Sequence, residues 1–139
     1  MISVAHQHPC RRFSAATTVR VVKVVQRTEG RNFRSISIVF TTSVFIRRIN
    51  KKFLKHDYAT DVITFGMGKQ TLEAELYVNL DMAASQAHTY GVTYSQEVCR
   101  LIVHGMLHLC GFNDGTKAQQ ASMRKRENTY LQRLESLKR

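Results

Sequence analysis

Apolar residues recur along the chain with two different periods, and these periods predict the order of its secondary-structure elements. Strands are predicted where apolar and polar positions alternate, over residues 35–40 and 73–79, and in a short run between turns, over residues 61–65. Helices are predicted where the apolar period is near 3.6, over residues 15–28, 43–54, 81–90, 95–110 and 116–137. Gly30 and Gly91 are expected to end two of these helices.

The same periodicity predicts which residues of each helix face the core. In the first helix they are Val19, Val22 and either Val25 or Gln26, and in the last helix they are Met123, Tyr130 and Leu134. In the helix over residues 43–54 they are Ile49, Phe53, Leu54 and one of Val44 and Phe45. The outer face of that helix is basic, with Arg47, Arg48, Lys51, Lys52 and Lys55. Such a face by itself indicates no more than a solvated surface.

The length and charge of the chain favour one domain that acts on a polyanion. We expect a single domain over residues 1–139, and we allow for disorder in residues 1–14. Lys and Arg number 21 against 10 Asp and Glu, a formal net charge of +11, and the simplest partner for such an excess is nucleic acid. No apolar run approaches the roughly 18–20 residues that span a bilayer, so we expect a soluble protein without a membrane partner.

The cysteines and the first residues indicate where the protein acts. Three cysteines without paired spacing favour a reducing compartment, and we expect a cytoplasmic protein. The first 28 residues contain no acid, as in organelle transit peptides, but their removal would take away an amphipathic segment that a small domain needs. His6 and His8 are expected to belong to an unordered tail rather than to a ligand pair.

Residues 103–114, VHGMLHLCGFND, carry the candidate chemistry. His104 and His108 are four residues apart and would share one face of a helix, so both imidazoles can bind a single ion. Gly111 would end that helix and let Asp114 supply a third ligand. Three protein ligands leave an open position, which is typical of catalytic zinc with a metal-bound water. Ser95 is the expected N-cap of this helix, and Cys110 is expected to face away from the ion.

Two acids and an arginine raise alternatives to this interpretation. The zinc proteases of the H-E-x-x-H type carry a glutamate base after the first histidine, where this chain has Gly105. A metallopeptidase would therefore need Glu75 or Glu97 as its base. Glycine at that position would also let a large substrate approach the ion. Glu97 and Arg100 lie on the histidine face and form either a surface ion pair or a pair that orients an imidazole from behind.

Three segments together resemble a known family. VHGMLHLCGFND, INKKFLKHDYATDVITF (residues 49–65) and AELYVNL (residues 74–80) are similar to the YbeY family of single-domain, metal-dependent endoribonucleases, which are implicated in ribosomal RNA maturation and ribosome quality control. The resemblance implies an α+β fold in which a mixed sheet of about four strands packs against several helices around a central metal-binding helix. It also implies a zinc ion and a partner that is ribosomal RNA or a ribosomal subunit.

The chain departs from the family pattern at three positions. Asp114 stands where the family has a third histidine, so zinc is expected but another divalent transition metal also suits the site. Leu54 stands where the family has an arginine, so we expect Arg47, Lys52 and Lys55 to bind RNA instead. Glu75 occupies the position of a family acid and is a candidate accessory to the metal-bound water.

We therefore expect a zinc-dependent endoribonuclease that prefers single strands, whose bases can be splayed against aromatic side chains. The alternatives are a metallopeptidase and a non-catalytic, ribosome-associated RNA-binding factor whose metal only stabilises the fold.

Overall fold

The computed structural model describes residues 1–66 and 72–137 of the chain. Its strands are β1 (Ile2–His6), β2 (Ser35–Thr41), β3 (Val62–Phe65) and β4 (Glu73–Asn79). Its α-helices are α1 (Ala15–Glu29), α2 (Ser43–Ile49), α3 (Leu80–Tyr90), α4 (Tyr94–Leu109) and α5 (Lys117–Leu137). A π-helical turn, Asn50–Leu54, follows α2 directly. No helix in these described ranges is long and apolar enough to cross a membrane.

The four strands form one mixed sheet in the order β1-β2-β4-β3. Strands β1, β2 and β4 run parallel, and β3 pairs antiparallel with β4. Alternate residues of a strand face opposite sides of a sheet, and one side of β2 and β4 is buried through Ile36, Ile38, Phe40, Ala74, Leu76 and Val78. Helix α4 packs against β3 and β4 and also against α1, α3 and α5. The predicted α+β fold, with its mixed sheet and central helix, is confirmed.

The first residues form a strand, so the expected unordered tail is wrong for this segment. Strand β1 pairs in parallel with β2, in register from Ile2 opposite Ile36 to His6 opposite Phe40. The His6 ring stacks on Phe40 with centroids 5.0 Å apart. His8 is buried and its Nε2 lies 2.7 Å from a carboxylate oxygen of Asp81. The two histidines therefore anchor the amino-terminal segment to the domain.

The helix boundaries follow local capping chemistry. Gly30 and Gly91 end α1 and α3 in the left-handed conformation, with φ of 68° and 66°, as predicted. The N-cap of α4 is Thr93 rather than Ser95. Its hydroxyl accepts a hydrogen bond from the backbone N–H of Gln96 (3.0 Å), and the Gln96 side chain accepts one from the backbone N–H of Thr93 (2.9 Å). This reciprocal capping box satisfies two backbone donors at the start of α4 that have no partner within the helix.

The π-helical turn overturns the predicted inward face of residues 43–54. Phe53 and Leu54, expected in the core, are 60% and 46% exposed. Helix α2 buries Ile46 and Ile49, and the wider turn that follows rotates later side chains off this stripe. The buried residue of the turn is Asn50, whose side-chain amide donates to the Tyr58 carbonyl at 2.9 Å. The basic outer face is exposed as predicted.

The first and last helices bury most of the residues that the sequence indicated. In α1 the buried valines are Val21, Val22 and Val25. In α5 the predicted contacts Met123, Tyr130 and Leu134 are all buried. Helix α5 thus covers the outer side of α4, next to the histidines.

Candidate metal centre

Three polar side chains converge at the carboxyl end of α4. The Nε2 atoms of His104 and His108, one helical turn apart, lie 3.1 Å from each other. The chain then turns at Gly111, whose φ of 102° is a backbone conformation that favours glycine. This turn brings back Asp114, whose Oδ2 lies 3.3 Å from each of the two Nε2 atoms. The three residues predicted as ligands thus form one group within the described chain.

The triangle of these three atoms has the dimensions of a tetrahedral metal site. Ligand atoms at 2.0–2.2 Å from zinc in tetrahedral geometry lie roughly 3.3 Å from one another, and the observed edges are 3.1–3.3 Å. The three side chains are only partly buried, so solvent reaches the group. Two imidazoles and one carboxylate are also the donor set of known catalytic zinc sites. The residues present therefore could hold a divalent ion with an open position.

A buried carboxylate fixes the orientation of His104. Oε2 of Glu127, a residue of α5 that is 2% exposed, lies 2.7 Å from Nδ1 of His104. Burial alone would raise the pKa of Glu127, but hydrogen bonds from His104 and Arg100 outweigh burial and lower it. An ionised carboxylate only accepts hydrogen bonds, so Nδ1 of His104 carries the proton. In the neutral ring, Nε2 then presents its lone pair to Asp114 and His108.

Arg100 connects this carboxylate to a second buried acid. Its guanidinium donates to Oε1 of Glu127 at 3.0 Å and, through Nε, to Oε1 of Glu97 at 2.9 Å. A further hydrogen bond joins Arg100 to the other oxygen of Glu97. Burial alone would lower the pKa of Arg100, but its bonds to the two carboxylates raise it. Glu97 and Arg100 therefore lie behind the histidines, where the sequence allowed them, and act on His104 through Glu127.

Sequence reasoning missed Glu127, although a signal for it exists. Met123, Glu127, Tyr130 and Leu134 are spaced four, three and four residues apart, so an acid lies on the buried stripe of an otherwise charged helix. Buried acids are rare unless they are paired. The sequence therefore indicated a partner for Glu127, but only the packing of α5 on α4 identifies it as His104.

Gly105 serves packing rather than substrate access. A Cβ atom at this position would lie 2.3 Å from Cδ1 of Leu76, a fully buried residue of β4. Glycine thus allows α4 to lie close against the sheet. The expectation that Gly105 opens the centre to a large substrate is wrong, because this residue faces the core and not the ligand atoms.

Neither acid that a peptidase would need as its base lies at the centre. Leu76 contacts α4 at Gly105, so the neighbouring Glu75 points to the opposite side of the sheet, where it accepts a hydrogen bond from Tyr77 at 3.2 Å. Glu75 is therefore wrong as an accessory catalytic residue. Glu97 is 2% exposed and bound by Arg100. The geometry removes both candidates for the metallopeptidase.

The remaining predicted residues do not belong to the three-residue group. Arg47, Lys52 and Lys55 are exposed, and Arg47 donates to Asp57 at 2.8 Å. Cys110 is partly buried, and burial, with the charge of Glu29, raises the pKa of its thiol to about 11. It is therefore a protonated thiol outside the three-residue group, as predicted.

Comparison with known proteins identifies the family. The profile of the family described as Endoribonuclease YbeY matches residues 5–135. Relatives of that name include one from Salinibacter ruber, 36% identical over 94% of this chain and 89% of its own length, and one from Chlorobaculum parvum, 38% identical over 89% of both chains.

A further relative of the same name, from Chlorobaculum tepidum, is 41% identical over 82% of this chain and 84% of its own length. The fold is similar to the solution structure of a Thermotoga maritima protein, with a TM-score of 0.66 and 20% identity over 96% of this chain and 89% of that one. Since the family profile covers nearly the whole chain and the three relatives agree with it, the protein belongs to the endoribonuclease YbeY family.

Proposed function

We propose that this protein is a zinc-dependent endoribonuclease that hydrolyses phosphodiester bonds in single-stranded RNA. The observation that carries the proposal is the triangle of ligand atoms on His104, His108 and Asp114, whose edges of 3.1–3.3 Å fit a tetrahedral ion. Membership of the family supplies the reaction class. A formal net charge of +11 suits a polyanionic substrate.

The roles of the chain's own residues follow from their contacts. When bound, a divalent ion supplies Lewis acidity toward a phosphoryl oxygen and acidifies water. His104, His108 and Asp114 would hold that ion. Glu127 keeps the proton of His104 on Nδ1, and Arg100 holds Glu127 in place. Because Glu127 is buried and the Arg100 side chain is only 11% exposed, the imidazole keeps its orientation while RNA enters and leaves.

The choice of zinc follows from the donor set. Two imidazole nitrogens and one carboxylate oxygen form a common catalytic zinc site. The oxygen of Asp114 is a harder ligand than a third imidazole, so the site is also expected to accept other divalent transition metals such as manganese or iron.

The proposed substrate is ribosomal RNA, free or within a ribosomal subunit, and the proposed place of action is the cytoplasm. The family resemblance supports the substrate. The cysteines support a reducing compartment, because their number is odd and their spacing is unpaired. Arg47, Lys52 and Lys55 are exposed and would neutralise phosphates, which predicts activity that weakens steeply with salt.

Three alanine variants test the proposal. His104→Ala and Asp114→Ala should each lose bound metal and RNA cleavage. The matched control His88→Ala, at an exposed histidine of α3, should keep both. Unchanged metal content and unchanged cleavage in the first two variants would contradict the proposal.

Removal of the metal separates a catalytic ion from a structural one. Most of α4 is buried in the apolar core, so we expect a chelator to abolish cleavage and leave the far-ultraviolet circular dichroism spectrum unchanged. Unfolding on chelation would favour the non-catalytic RNA-binding factor with a structural metal.

A further inference from the structure

A short segment after α2 exposes large apolar side chains among cations. Phe53, Leu54 and Tyr58 are all about half exposed or more. Lysines and a histidine are exposed in the same stretch: Lys51, Lys52, Lys55 and His56. Large apolar groups gathered on a surface mark an interaction site. Residues 51–58 are called the ridge segment below.

The ridge segment is held in one conformation by a buried residue. Asn50 is 1% exposed, and its side-chain amide donates to the Tyr58 carbonyl while its own carbonyl accepts from the His56 N–H at 3.0 Å. The Phe53 ring meets Phe65 edge to face, with centroids 5.9 Å apart. Both ends of the segment are thus fixed, so its exposed rings are ready for a partner before one binds.

The charge of the ridge segment selects an anion. Lys52 places its Nζ 5.2 Å from the centre of the Phe53 ring. Lys55 is the one residue other than glycine with positive φ, 58°, in the described chain. Glycine would adopt this conformation without strain. A lysine at this position is strained, which suits a side chain with a functional role. The acid of the segment, Asp57, is paired with Arg47, so the lysines dominate its surface.

The ridge segment leads toward the metal centre. It ends at Tyr58, three residues before Asp61, whose backbone carbonyl accepts a hydrogen bond from the backbone N–H of Asn79, the last residue of β4, at 2.9 Å. Strand β3 begins directly afterwards and packs against α4. Three residues of chain span at most about 11 Å, so Tyr58 lies close to the start of β3.

We propose that the ridge segment is a base-stacking platform for the single-stranded RNA that the metal centre cleaves. Phe53 and Tyr58 stack on bases, and Lys52 and Lys55 neutralise the phosphates between them. The inference rests on the proposed function and gives a physical reason for a single-strand preference. Bases in a duplex are stacked on one another and offer no free face, whereas any unpaired base does.

Binding measurements on the full chain test this inference. The probes are a labelled oligouridylate of about 12 nucleotides and an RNA duplex of the same length, each mixed with the metal-loaded protein and read by stopped-flow anisotropy before cleavage proceeds. Phe53→Ala should weaken single-strand binding roughly 10-fold and leave duplex binding unchanged. Phe53→Trp and Tyr58→Phe, which keep a ring, should bind as the wild type does, whereas Tyr58→Ala should behave like Phe53→Ala.

The salt dependence separates stacking from charge. Lys52→Gln should reduce the slope of log K against log salt by about 0.7, the value for one phosphate contact on a single strand. Phe53→Ala should lower affinity at every salt concentration and leave this slope unchanged. Because these side chains are exposed, circular dichroism should find both variants folded.

Two results would overturn the inference in different ways. The platform would be contradicted if both alanine variants bound the single strand as the wild type does, or if they lost equal affinity for single strand and duplex. Cleavage of RNA by the wild type would still support the proposed function in that case. Such a result would assign the exposed rings to a protein partner. A wild-type chain that neither binds nor cleaves RNA would overturn the proposed function, and the platform with it.

Discussion

Replacing Glu127 with glutamine removes a buried charge behind His104 and keeps the shape of the side chain. In the wild type, Glu127 is 2% exposed, lies 2.7 Å from Nδ1 of His104 and accepts a 3.0 Å hydrogen bond from Arg100. Loss of such a carboxylate behind a metal-binding imidazole typically costs 10–100-fold in metal affinity. Glu127→Gln is therefore expected to weaken metal binding by about 1.4–2.7 kcal/mol near pH 8.

The same variant should change how metal affinity depends on pH. Burial alone would lower the pKa of His104, but the hydrogen bond and charge of Glu127, with the charges of Asp61 and Asp114, raise it above the ordinary value. Protons compete with metal for Nε2, so wild-type affinity falls as the pH drops through this raised pKa. In Glu127→Gln the pKa of His104 is lower, and affinity should hold to a lower pH although it starts weaker.

Competition with a coloured chelator at a series of pH values measures both effects. Glu135→Gln, at an exposed acid of the same helix, is the matched control and should bind metal as the wild type does. Equal affinities of Glu127→Gln and wild type, or parallel pH profiles, would refute the role given to Glu127.

Three further predictions concern stability. Gly105→Ala should lower the free energy of unfolding by about 1–3 kcal/mol in denaturant titration, because its Cβ would lie 2.3 Å from Leu76. In the control Gly115→Ala, the nearest atom to the new Cβ lies at 3.6 Å, and stability should hardly change. Equal losses of stability in the two variants would contradict the packing role of Gly105. Lys55→Gly places glycine at a positive φ that glycine adopts without strain, so it should keep or raise the melting temperature while it weakens RNA binding. A clear fall in the melting temperature would show that Lys55 is not strained. Burial alone would raise the pKa of Asp81 in the folded protein, but its hydrogen bonds lower this pKa below the ordinary value. The ionised Asp81 therefore stabilises the fold fully above its pKa in the unfolded chain, about 3.9, and this contribution is lost as the pH falls through the lower, folded-state pKa. Asp81→Asn should therefore lower the melting temperature at pH 7, and the melting temperature of this variant should decrease less in acid than that of the wild type. Parallel curves of melting temperature against pH would contradict this.

Local periodicity predicted most of the elements because the signals that set them are local. The alternation over residues 35–40 and 73–79 and the glycines after α1 and α3 correspond directly to strands and helix ends in the structure. The histidine pair was equally readable, since a spacing of four residues fixes a shared helix face.

The features that sequence reasoning missed depend on packing between distant segments. Strand β1 exists because it pairs with β2, more than thirty residues further on. The π-helical turn depends on the burial of Asn50, which turns Phe53 outward against its apolar character. Glu127 lies 23 residues beyond its partner His104, so no local pattern joins the two.

Gly105 illustrates how one residue admits two physical explanations. As a neighbour of a ligand, a glycine suggests access for substrate. As a buried residue facing Leu76, it allows helix and sheet to approach. Only the orientation of α4 on the sheet distinguishes these explanations, and this orientation follows from the apolar stripe of the whole helix.

X-ray absorption fine structure at the edge of the bound metal tests the central claim most directly. The structure predicts two imidazole nitrogens at about 2.0–2.1 Å and a carboxylate oxygen at about 2.0–2.2 Å, supplied by His104, His108 and Asp114. His108→Ala, like the other two ligand variants, should lose the bound metal and with it this spectrum. A sulfur ligand near 2.3 Å, the distance of a zinc thiolate, or a spectrum unchanged in His108→Ala would contradict the proposed centre.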